Sequence, residues 1–164
     1  MENNPMMQSS RLLWVVAILA LIATEASGQE WSRFRGRDGA GSSDADSIPT
    51  EWTSRDYVWR IPLSGIGHSS PVVWGDYVYV SSATQDDAQR YLCCIDATDG
   101  HAVWQRTFPS PTFDLGNATA FDAATPVVDE QRVYIVWANP KECILQALDR
   151  RHGKTIWQRD MGPI

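Results

Sequence analysis

The hydrophobic and polar positions of this chain repeat. Ser70-Pro71-Val72-Val73, Val78-Tyr79-Val80, Ile95-Asp96, Gly100 and Trp104-Gln105-Arg106 are answered by Thr125-Pro126-Val127-Val128, Val133-Tyr134-Ile135, Leu148-Asp149, Gly153 and Trp157-Gln158-Arg159. The earlier positions match at an offset of 55 residues and the later ones at an offset of 53. The two lost residues fall between Ser81 and Ala88, as against Ala138 to Lys141, which places the length change in a loop and keeps the strands in register. Val58-Trp59-Arg60 reads like Val103-Trp104-Gln105 and gives a third, partial copy ahead of both.

Within a copy, short apolar runs bounded by turn residues predict four strands. In the first copy these are Pro71 to Trp74, Tyr77 to Ser81, Tyr91 to Ile95 and Ala102 to Arg106. Gly75-Asp76 and Asp99-Gly100 mark the turns, and Asp-Gly predicts a hairpin because both residues tolerate positive φ. His152-Gly153 is the less favourable equivalent. Asp96 and Asp149 are placed to accept turn amides with their carboxylates. Trp104 and Trp157 each follow their turn glycine by four residues. A buried indole covers ~150–250 Å², a gross gain of roughly 4–6 kcal/mol at ~25 cal/mol per Å², so one Trp per repeat suffices to dock each sheet on the next. A sugar or quinone platform is the functional alternative. Recurrence in both copies favours docking, since a ligand site needs only one.

These units, 45 residues from Trp59 to Trp104 and 53 from Trp104 to Trp157, predict an all-β fold of β-propeller blades, each a four-stranded antiparallel sheet. The chain holds an incomplete propeller of about two to three blades, whereas repeat arrays need at least about three units for a continuous core. The expectation is therefore the N-terminal portion of a longer protein. The division is a signal peptide over 1–28, an extended segment over 29–57 and repeats over 58–164, with a partial blade near 58–66 and blades at 67–108 and 120–160. Arg11, the apolar run Leu12 to Ala23 and Ala26-Ser27-Gly28 carry the signal-peptide pattern. The run is shorter than the ~20 residues of a membrane span, so export to the periplasm or the outside is expected, with no stable membrane span.

In the extended segment, the glycine-rich stretch from Gly36 to Gly41 and the polar residues Ser42 to Ser47 predict loop. Trp31 and Phe34 are expected to pin it onto a sheet, and Arg33, Arg35 and Arg37 read as a solvated edge rather than an anion site. Tyr57 to Pro62 predicts a short strand closed by its proline. The chain has 14 basic and 20 acidic residues, an acidic balance that argues against nucleic acid as partner.

Candidate chemistry is sparse. His68, before a repeated strand, and Asn117 are weak ligand candidates. Asp114 and Asp122 share Asn117's long connection, where Asn117-Ala118-Thr119 matches a glycosylation acceptor whose match reads as accidental. The odd set Cys93, Cys94 and Cys143 leaves at least one thiol free or paired outside the chain.

Ile95-Asp96-Ala97-Thr98-Asp99-Gly100-His101-Ala102-Val103-Trp104 and Leu148-Asp149-Arg150-Arg151-His152-Gly153-Lys154-Thr155-Ile156-Trp157 resemble the tryptophan-docking motif of PQQ-like repeat propellers. Trp31 to Gly36, Gly67 to Val73 and Met161-Gly162-Pro163 are similar to the opening blades of secreted bacterial members. The resemblance implies structural docking roles for Trp59, Trp104, Trp157, Asp96, Asp149, Gly100 and Gly153. The family includes BamB-like scaffolds and quinoprotein dehydrogenases, which hold pyrroloquinoline quinone and Ca²⁺ on the propeller axis and, in some members, a vicinal disulfide over the quinone. Cys93-Cys94 invites that comparison. The pair lies inside a strand, though, where neighbours face opposite ways, and Cys94 answers Ala147, so packed thiols are expected. No catalytic, cofactor-binding or metal residue is assigned. The favoured expectation is an interaction or scaffold module whose partners are proteins or further blades. The alternative is a fragment of a quinone-dependent oxidoreductase, with quinone and Ca²⁺ possible only in a full-length protein.

Overall fold

The structure, a computed structural model, describes residues 30–45, 48–86, 88–114 and 124–163. The expected leader, Asn117 and Asp122 lie outside them. The described residues form two four-stranded antiparallel meanders and no helix. The first sheet is β1 (Val72–Trp74), β2 (Tyr77–Ala83), β3 (Arg90–Asp96) and β4 (Ala102–Phe108) in that order; the second is β5 (Val127–Val128), β6 (Arg132–Asn139), β7 (Glu142–Asp149) and β8 (Thr155–Asp160). Each is one propeller blade, and together they make an incomplete propeller.

Strand alternation decides what lies between the blades. Val72, Tyr79, Leu92 and Cys94 of the first sheet meet Val128, Val133, Ile135, Trp137 and Leu148 of the second in one buried cluster. The opposite face of the first sheet, with Val80, Cys93 and Ile95, is covered by Trp59 and Ile61. Every second residue of β3 therefore serves a different core. The residues that answer Val72, Tyr79, Cys94 and Trp104 are Val127, Tyr134, Ala147 and Trp157, and they form the far face of the second blade.

The shortened hairpin is defined by its register. Tyr77 pairs with Asp96 and Ala83 with Arg90, while Arg132 pairs with Asp149 and Asn139 with Glu142. The central hairpin of the second blade thus has longer strands and a Pro140-Lys141 turn where the first has the connection between Ala83 and Arg90. In that turn, Asn139 Oδ1 accepts from the amides of Lys141 and Glu142.

Three expectations are corrected. Residues 57–62 form no strand, because no described segment offers them a ladder; they are held by the Trp59 and Ile61 side chains instead. Phe34 anchors nothing among the described residues and is 59% exposed. The turns closed by the Gly36 amide on Arg33 O and the Gly39 amide on Gly36 O carry the Phe34 side chain away from the sheets. The third concerns the Asp99-Gly100 hairpin, where only Gly100 has positive φ, at 79°. The loop runs from Ala97 to Gly100, closed by the Gly100 amide on Asp96 O and the Asp96 amide on His101 O, so the residue before the glycine is not restricted.

Trp31 does engage the sheets. Its backbone exchanges two hydrogen bonds with Val73 (3.1 and 2.9 Å), and Ser32 O accepts the Val128 amide at 2.8 Å, so one short segment ties the inner strands of both blades. The Arg33 guanidinium donates to Gly36 O and Arg37 O, which commits it to its own loop. Among the described residues, no helix is long and apolar enough to cross a membrane.

The three thiols are free, with Cys93 and Cys94 buried and Cys143 partly exposed. Burial pushes both buried thiols up to about 11, so each is almost wholly protonated at neutral pH. Ellman's reagent at pH 8 is expected to modify one thiol of the native protein, Cys143, with the other two reacting only in denaturant. Rapid reaction of all three in the native state would contradict the packing described for β3.

Candidate docking site

The repeated tryptophans meet the repeated turns one blade later. The Trp59 indole N–H donates to Ala97 O at 2.7 Å and its ring lies over Gly100, where an added Cβ would fall 2.7 Å from Cδ2. The Trp104 N–H donates to Arg150 O at 3.0 Å and its ring lies over Gly153, where a Cβ would fall 2.8 Å from Cδ2. In both cases the accepting carbonyl is three residues before the glycine. The missing Cβ lets an indole lie flat on the backbone, and the left-handed φ of Gly100 (79°) and Gly153 (65°) is one that only glycine adopts freely.

The aspartates set the turns. Asp96 Oδ1 accepts the Thr98 amide, and Asp149 Oδ1 accepts the amides of Arg151 and His152. Partial burial opposes ionisation of Asp149, but these amides and the His152 ring outweigh it and hold its carboxyl below the usual range. In the first turn, Asp99 Oδ1 accepts the His101 amide and lies 2.7 Å from His101 Nδ1. The hydrogen bond to Asp99 raises the pKa of His101 above its ordinary 6.5, and the His101 amide holds Asp99 below 3.8. Ligand atoms of Asp96, Asp99 and His101 lie within 4.8 Å of one another, but Asp99 and His101 are exposed, and Asp96 Oδ1 and Asp99 Oδ1 cap the turn.

Two sets of partners were not foreseen in the sequence. Tyr79 stacks obliquely on Trp104 with centroids 6.0 Å apart at 47°, and Tyr134 meets Trp157 at 6.1 Å and 51°. The tyrosines stood in the repeat, but the pairing needs the register that puts Cys94 opposite both Tyr79 and Trp104, and Ala147 opposite both Tyr134 and Trp157. The repeated glutamine after each Trp works on the other face. Gln105 Oε1 accepts from the Cys93 thiol at 3.2 Å, and Gln158 Oε1 accepts from Gln146 Nε2 at 3.1 Å. Arg150 is a further member; its carbonyl receives Trp104, its Nε donates to Glu130 O, and its guanidinium lies over the Tyr77 ring.

Trp157 and its surroundings are the open member of this series. Trp157 is 40% exposed, Val127 43% and Val136 39%. No turn covers Trp157 among the described residues. His68 is exposed on its loop. Asp114 is likewise exposed. A cleft of about 170 Å³ between the blades is lined by Arg90, Trp137, Glu142 and Gln146. The Trp137 indole N–H and Gln146 Oε1 find no hydrogen-bond partner there among the described residues, but each exposes less than 1 Å², so neither can reach a ligand in the cleft.

Cys93 and Cys94 face separate cores and cannot present a disulfide to one ligand, and Asp96 Oδ1 and Asp99 Oδ1 each accept a turn amide.

Replacing Gly153 by Ala is expected to cost about 2–5 kcal/mol in urea unfolding, combining backbone strain with displacement of the Trp104 ring. Gly75→Ala, where an added Cβ meets nothing within 4 Å, is expected to cost only the backbone contribution, about 1–2 kcal/mol. Equal losses would contradict the docking geometry. The His101–Asp99 pair has a defined pH window. The raised His101 contributes below its ordinary value and its contribution is lost as pH rises through its raised pKa; the depressed Asp99 contributes above 3.8 and its share is lost as pH falls through its lowered pKa. An NMR titration should find His101 above 6.5 and returning toward that value in Asp99→Asn; no change in that variant would rule out the pairing.

Known proteins are similar to this chain. The chain is 27% identical over 129 residues, 76% of its length, to the tetrathionate hydrolase of Acidithiobacillus ferrooxidans, and covers 24% of that protein. It thus spans about a quarter of the length of the curated relative it matches. Among solved structures it is similar to BamB from Moraxella catarrhalis, at 24% identity and a TM-score of 0.42, covering 60% of this chain and 26% of that one. It is also similar to a europium-containing methanol dehydrogenase, at 14% identity and a TM-score of 0.40, covering 88% of this chain and 34% of that one. The family model described as outer membrane protein assembly factor BamB matches residues 21–163, and the chain belongs to that BamB-like family of PQQ-like repeat propellers.

Proposed function

We propose that the chain acts as an exported scaffold module of the periplasm or cell exterior, joining further β-repeats or protein partners through the far face of its second blade. The observation that carries this reading is the Tyr134–Trp157 pair. Its separation and tilt match those of Tyr79–Trp104, the pair on which a neighbouring blade is seated. A face that holds the docked geometry while exposed is preorganised, and preorganisation lowers the cost of association. Val127 and Val136 extend it into an apolar patch of the kind that marks an interaction surface. The partner it fits brings a turn with a left-handed glycine and a free carbonyl three residues earlier.

The test uses a synthetic hairpin with the sequence of residues 142–160 as the docking turn, followed by tryptophan fluorescence. Trp157→Ala is expected to abolish hairpin binding while lowering stability by only about 0.5–1.5 kcal/mol, the worth of an aromatic pair. Trp104→Ala is expected to cost about 3–5 kcal/mol. Undiminished hairpin binding by Trp157→Ala, or a stability loss equal to that of Trp104→Ala, would reject the proposal.

A further inference from the structure

Three arginines line a cleft between the blades without an acidic partner among the described residues. The cleft, of about 570 Å³, lies between Trp74 at the end of β1 and the two turns of the second blade, where Glu130, Arg132, Asp149, Arg150 and Arg151 line it. That volume falls within the ~300–1,000 Å³ of small-molecule sites. Arg132 stands opposite Asp149 in the ladder, yet the two form no ion pair, because the aspartates nearby are spent on the turns. Asp149 Oδ1 accepts two turn amides and lies 2.8 Å from His152 Nδ1. Asp129 accepts the amides of Gln131 and Arg132 and the Tyr134 hydroxyl.

The arginines themselves are held in place. Arg150 is 8% exposed, with its Nε on Glu130 O and its face on the Tyr77 ring. Arg132 Nε is buried without a hydrogen-bond partner among the described residues, which leaves the terminal nitrogens of that side chain to meet a ligand. Arg151 is exposed beside them. An arginine on an open surface needs no partner, but a buried guanidinium with no anion beside it is costly. A guanidinium fork matches the two oxygens of a carboxylate or phosphoryl group.

We propose that this cleft binds the anionic group of a small molecule, a carboxylate or a phosphoryl group, with Arg132 and Arg151 donating to its oxygens and Arg150 supplying fixed charge behind them. The ligand sits against the turn whose Arg150 carbonyl receives Trp104. Trp157 does not line the cleft, so this site is independent of the docking role given to that residue.

The experiment follows the arginine Nε–Hε resonances of the isotope-labelled full chain during titration with succinate and, separately, with inorganic phosphate, against sodium chloride at equal ionic strength. Saturable shifts of Arg132 and Arg150 are expected with at least one of the two anions and not with chloride, and the tighter binder identifies the group. Arg132→Gln is expected to weaken that binding at least about tenfold, the share of a charge-assisted hydrogen bond. Arg151→Gln gives the same comparison if Arg132→Gln disturbs the fold. Arg55→Gln, at an exposed arginine outside the cleft, is expected to leave binding unchanged. Shifts that chloride reproduces or that do not saturate mean an adventitious ion only and overturn the proposal, as does equal weakening by Arg55→Gln.

Discussion

The contact on which this structure depends is an indole lying on a glycine. A four-stranded sheet has two faces to cover, and neither blade can cover both alone. One side chain per repeat, at a fixed distance after the turn, solves this by reaching into the turn of the next blade and donating its N–H to a carbonyl there. Glycine is required twice over, for the left-handed backbone and for the space the ring occupies. Much of the rest follows: small residues under the indole, a tyrosine beside it, and an aspartate that fixes the turn receiving it.

The repeat makes the face chemistry translational. Val72, Tyr79, Cys94 and Trp104 are covered by the second blade, and Val127, Tyr134, Ala147 and Trp157 are the same surface one blade further on. The surface that holds the two blades together is thus repeated on the far face of the second blade. The paired thiols fit this economy. Cys93 and Cys94 serve two different cores, and burial keeps both protonated.

Strands and their register were legible in the sequence because a period of about fifty residues displays each strand twice, and the offset change from 55 to 53 located the loop that differs. The docking aspartates, glycines and tryptophans stood out for the same reason. What did not show was anything lacking a second copy or depending on a neighbour. Tyr57 to Pro62 has strand composition, but a strand exists only against a partner, and composition does not supply one. Phe34 resembles an anchor until the turns around Gly36 send it outward. Arg150 gives no signal, since its contribution is a backbone carbonyl, and the tyrosine–tryptophan pairs need cross-strand register that single positions do not reveal.

The most direct test of the account is a double-mutant cycle on Trp104→Ala and Gly153→Ala, read by urea unfolding. If the indole sits on the glycine, a methyl at 153 costs most when the ring is present, so the double variant should be about 1–3 kcal/mol less destabilised than the sum of the single variants. Simple additivity would mean that ring and turn do not meet, and the docking account of both blades would fail with it.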